Sequence, residues 1–120
     1  MNSSAWKTLL LSATAAAMVW ALSPWVTGQW EPWDANGVYY PAALLVGGAL
    51  VGLLSPRPLW AHYLGAFVGQ LGYELVALRA GPLFVLGMVF LLGYTMVFLV
   101  GAAIAGLVRR RLAPKPAPGP

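Results

Sequence analysis

Residues 59–78 read LWAHYLGAFVGQLGYELVAL, and this stretch decides the fold. At helical spacing Trp60, Leu64, Phe67, Leu71, Leu75 and Leu78 share one broad side, all large and apolar. The other side carries Gly65, Gly69, Gly72 and Val76, flanked by His62, Ala66, Gln70, Tyr73 and Glu74. In lipid these become a face toward acyl chains and a face toward protein. Glycines let another helix approach closely, and dispersion then drives association in place of the hydrophobic effect.

The rest of the chain makes lipid the expected solvent. Of 120 residues, 60% are hydrophobic and 8% charged, against about a quarter charged in soluble domains. Seven Lys/Arg and three Asp/Glu are too few to clothe a globule of this size in water. No cysteine is present, which excludes disulfides, thiolate metal sites and cysteine nucleophiles. The basic balance does not point to nucleic acid, because the cations gather at the ends of apolar runs, where they act as orientation signals.

Four apolar runs, residues 8–26, 38–54, 59–78 and 83–108, predict an all-α integral membrane bundle within residues 1–111. Backbone amides in hydrocarbon must be satisfied internally, and the period-2 alternation of a barrel is missing. Ser55-Pro56-Arg57-Pro58 and Ala80-Gly81-Pro82 are short helix-breaking connections, so successive helices are expected to be antiparallel. With the N-terminus inside, Lys7, Arg57, Arg109, Arg110, Arg111 and Lys115 fall in the cytoplasm and only Arg79 outside. That bias predicts both termini on the cytoplasmic side of a bacterial inner membrane. The proline-rich residues 112–120 are expected to be a disordered cytoplasmic tail, and Arg109–Arg111 a stop-transfer anchor that also suits anionic lipid.

Aromatic residues are expected at both interfaces: Trp25, Trp30, Trp33, Tyr39 and Tyr40 outside, Trp6, Trp60 and Tyr63 inside. A sugar-binding platform of Trp30 and Trp33 is the competing reading of the outer loop. Glu31, Asp34 and Asn36 offer a hard cation fewer oxygens than calcium takes. The first run also has features of a secretory signal, with small residues at Ala15–Ala17 and Ala21–Ser23. It is longer than the usual apolar region of such signals, so a retained helix is the expectation.

Gln70 and Glu74, four residues apart at depth, are the groups that need a reason. Three readings are open: an interhelical hydrogen-bonded clamp to Tyr94 or Thr95, or to Thr14 and Ser12; a proton or cation path; and a ligand or partner site. Arg79 is the nearest formal partner of Glu74. His62 is expected as an interfacial side chain, since no second ligand stands at i+3 or i+4. Glu74, Gln70, His62, Arg79 and Tyr94 are therefore the candidate binding or ion-path residues. No catalytic, metal or cofactor motif is found: HExxH, GxSxG, phosphate-binding and dinucleotide-binding loops are all missing, and no enzymatic activity is expected.

The stretch from Tyr39 to Tyr94, with its SPR turn, Trp60 boundary and Gly69-Gln70 pair, resembles small bacterial four-span membrane proteins that carry no assigned activity. The resemblance implies a similar bundle and nothing about chemistry. The acid-free first run departs from the small multidrug exporters, and the arginine and asparagine pattern of fluoride channels is missing. The expected role is a structural or accessory subunit packing against lipid and other membrane components, or a homo-oligomer. The alternative is a transporter or channel subunit using Glu74 and Gln70.

Overall fold

Asn2 starts the first helix: its side-chain oxygen accepts from the Ala5 amide at 2.8 Å, satisfying one of the four amides that a helix start leaves open. In this computed structural model, which describes residues 2–34, 37–77 and 84–112, four helices follow in order. They are α1 (Ser3–Thr27), α2 (Tyr39–Leu54), α3 (Leu59–Ala77) and α4 (Phe84–Leu112), with a 3-10 turn at Pro32–Asp34 between the first two. Arg79, Asn36, Lys115, the Ala80-Gly81-Pro82 connection, the tail and the Asp34 side chain lie outside the described residues.

The helices match the expected apolar runs in number and order, and α1 and α4 run past them. α1 begins at its Asn2 cap rather than at Thr8, and ends at Gly28, whose φ of 80° supplies the left-handed cap for which glycine is suited. α4 continues through Arg109–Arg111, where three cations complement the negative end of the helix dipole. Two helices, Ser3–Thr27 and Phe84–Leu112, are long and apolar enough to cross a membrane by themselves. α2 has 16 residues, about 24 Å at 1.5 Å per residue. α3 is diluted by its glycines, His62, Gln70 and Glu74.

Successive helices alternate in direction, yet the closest packing joins helices that run parallel. Gly65 of α3 sits against the Leu9 carbonyl of α1, and Gly69 against that of Ala13, an advance of four residues on each helix. Gly48 and Gly52 of α2 likewise meet the backbone at Phe98 and Ala102 of α4, and Gly101 returns the contact at Leu45. A methyl group at any of these glycines would collide with main chain, so the absent side chains set the interhelical distance. Chain connectivity fixes helix direction, and small-residue patches then choose the partners. α2 and α3, although joined by four residues, scarcely touch.

The predicted faces of α3 hold in the main. Trp60, Leu64 and Leu75 are exposed, while His62, Gly65, Ala66, Gln70 and Glu74 are buried. Val76 is the exception at 89% exposure, and Gly72 faces open space. In α1 the packed face runs through Ser12, Ala13 and Ala16. Large apolar side chains cover the outside of all four helices, among them Met18, Val46, Val68 and Ile104. The interior instead holds Thr8, Ser12, Ser23, Ser55, His62, Gln70, Glu74 and Thr95.

Candidate functional site

The centre of the interior is the Gln70 carboxamide. The Trp20 indole N–H of α1 donates to Oε1 at 2.9 Å, and the Tyr40 hydroxyl of α2 donates to the same oxygen at 2.5 Å. Because an indole nitrogen can only donate, the carboxamide oxygen must face this side. Nε2 then points the other way, donating to Thr95 Oγ1 of α4 at 3.1 Å and to the Ala66 carbonyl of α3 at 3.2 Å. Thr95 passes its own proton to the Leu91 carbonyl at 2.6 Å. All four bonding positions of one amide are filled, and the partners come from all four helices.

Aromatic rings enclose this amide. The Trp20 ring meets Tyr40 edge-on at 6.1 Å and Trp33 at 4.8 Å with planes 84° apart, the T-shaped arrangement that ring quadrupoles favour. Tyr40 and Tyr94 lie 4.4 Å apart. The connection between α1 and α2 folds back: Pro32 is fully buried, the Trp33 ring reaches within 3.5 Å of a methyl position on Gly87, and its N–H donates to Glu31. Trp33 and Tyr40 are thus parts of the interior, and the expectation that both belong to an interfacial belt is corrected here. Trp25 and Trp30, at 88% and 67% exposure, lie on the surface of the bundle. A platform made by Trp30 and Trp33 together is not formed, since only Trp30 faces out.

Glu74 lies one turn beyond Gln70 and is 6% exposed. It makes no hydrogen bond among the described residues, and its Oε1 comes within 4.0 Å of a methyl position on Gly87. Gln70 and Glu74 therefore differ: the amide is saturated, and the carboxylate reaches toward Gly87 in the first turn of α4. Tyr94 supports the aromatic wall and takes no hydrogen bond from Gln70, whereas Thr95 does. Ser12 and Thr14 do not join the cluster. Ser12 Oγ is buried without a partner, and Thr14 bonds its own helix at Leu10.

A second polar cluster closes the opposite end. Thr8 Oγ1 donates to the Arg57 carbonyl at 2.6 Å, so Ser55 Oγ must donate to Thr8 across 2.5 Å. His62 is fully buried, not interfacial as its place near the turn suggested, because the Ser55–Pro58 segment folds over it. Its Nε2 bears a proton and donates to the Ser55 carbonyl at 2.8 Å, while Nδ1 has no partner among the described residues. Arg109 donates to the Leu53 carbonyl at 3.0 Å, closing the end of α2.

No group of three or more His, Cys, Asp or Glu able to hold a metal is found among the described residues. Among the described residues no nucleophile stands beside His62 with a carboxylate behind it. Sequence reasoning located Gln70, Glu74 and Thr95 but missed Trp20 and Tyr40. A lone indole N–H in the middle of an alanine-rich run was the available signal, because in lipid such a donor needs an acceptor. Compared with protein-family models, curated proteins and solved structures, the chain matches none of them.

Proposed function

We propose that the chain is a four-span protein of the bacterial inner membrane, with both termini cytoplasmic, acting as a structural or accessory subunit. The observation that carries this reading is the saturated Gln70 amide, which ties four helices at one point and leaves no bonding capacity for a passing solute. Apolar side chains on every outer face suit lipid, and water would not tolerate so large a continuous patch. Lys7, Arg57 and Arg109–Arg111 at one end, against Glu31 and Glu74 at the other, suit the positive-inside arrangement. Gly72 and Gly93 face open space on the outer surface, where a further helix can approach.

One observation favours a second reading, a proton or cation path: Glu74 is buried yet bonded to no described residue. Such a path has to break the Gln70 clamp. The two readings separate in paired experiments. Affinity purification in mild detergent is expected to recover a stoichiometric membrane partner, and recovery of the chain alone contradicts the accessory role. Reconstituted liposomes are expected to show no ion flux above empty vesicles, and Glu74→Gln no change. A flux abolished by Glu74→Gln establishes the path instead.

A further inference from the structure

A crevice of about 420 Å³ opens at the basic end of the bundle, between the Ser55–Pro58 turn and the last turns of α4. Its walls include Pro56, Pro58, Ala103 and Leu107, and two solvent-exposed arginines, Arg57 and Arg110, line it as well. The volume lies in the range of clefts that hold small ligands, and the walls are apolar. The third nearby cation is committed elsewhere, since Arg109 closes the end of α2 at Leu53. Arg57 and Arg110 make no side-chain bond among the described residues, and the described glutamates are at the far end of the bundle.

We propose that this crevice binds an anionic phospholipid of the inner leaflet, with the phosphate between Arg57 and Arg110 and the first part of an acyl chain along Pro56, Ala103 and Leu107. Charge complementarity selects the head, because guanidinium groups bind phosphate oxygens in pairs. The apolar walls select a lipid over free phosphate, which gains nothing from them. The inference rests on the membrane reading and on the basic end lying inside.

Native mass spectrometry of the full chain, released from detergent and titrated with phosphatidylglycerol, phosphatidylcholine or inorganic phosphate, tests it. One phosphatidylglycerol is expected to remain bound, and Arg57→Gln and Arg110→Gln each to weaken it about fivefold. Arg111→Gln removes the same charge away from the crevice and is expected to leave binding within about twofold. Ala103→Trp keeps every charge, fills the crevice from a half-exposed position, and is expected to abolish retention. Equal retention of phosphatidylcholine, equal losses from Arg111→Gln, or retention surviving Ala103→Trp overturns the site. Binding of inorganic phosphate as tight as that of the lipid overturns the lipid assignment. Flotation with vesicles is the control: a chain that stays in the aqueous fraction fails the membrane reading, whereas one that floats without lipid preference fails this proposal alone.

Discussion

Gln70→Leu is expected to lower the unfolding free energy in detergent by about 2 to 4 kcal/mol, because it strands two buried donors, the Trp20 indole and the Tyr40 hydroxyl. Thr95 is not stranded, since its proton already goes to the Leu91 carbonyl. Adding Trp20→Phe and Tyr40→Phe to Gln70→Leu removes the stranded donors, and about half of the lost stability should return. Gln70→Glu preserves shape, and its neutral acid can still accept from Trp20 and Tyr40 while donating to Thr95, so its cost is expected to be smaller than that of leucine. A denaturant titration followed by circular dichroism measures the series. Equal stability of wild type and Gln70→Leu would mean that the four bonds do not hold the helices together.

The second large effect belongs to the glycines. Gly48→Ala places a methyl group on the Phe98 carbonyl, and Gly52→Ala places one against the Ala102 backbone; main chain cannot turn aside as a long side chain can. The double variant is expected to cost at least about 3 kcal/mol and to separate α2 from α4. Gly72→Ala and Gly93→Ala introduce the same methyl group into open space. Each should leave stability within about 0.5 kcal/mol of wild type or raise it, since alanine is the better helix former. If all four substitutions behave alike, close backbone approach is not what sets the packing.

The order of the helices and the two faces of α3 were legible because both follow from local chemistry. Prolines stop helices, glycines mark close approach, and a buried amide must be bonded. Which helices pair was not legible. Short turns require that α2 and α3, or α3 and α4, run antiparallel, but they do not require that each hairpin be the tightest contact. That choice belongs to complementary surfaces, Gly65 and Gly69 against Leu9 and Ala13, which no single span contains.

The site was legible by half for a similar reason. Gln70 and Glu74 stand out because polar groups at depth are expensive, whereas Trp20 and Tyr40 pass as ordinary membrane aromatics. Tyr40 in particular sits in the first turn of α2, where an interfacial residue is expected, and is buried among the rings of Trp20, Tyr94 and Trp33, the last supplied by the loop before α2. His62 was misread in the same way, its cover being supplied by the turn at Ser55. Both errors concern depth near a helix end, where the neighbouring loop rather than the helix decides what is covered.

Four crossings are the central claim, and α2 and α3 are the helices that place it at risk, because among the described residues α1 and α4 alone have the length and apolarity to span unaided. The chain contains no cysteine, so single cysteines report topology without background. Ser4→Cys, Gln29→Cys, Arg57→Cys and Gly81→Cys would be treated in intact cells with a membrane-impermeant maleimide, with permeabilised cells as the reference. Labelling from outside is expected at positions 29 and 81 and only after permeabilisation at positions 4 and 57. External labelling at position 57 together with position 29 would mean that α2 and α3 do not cross, and would contradict the four-span bundle.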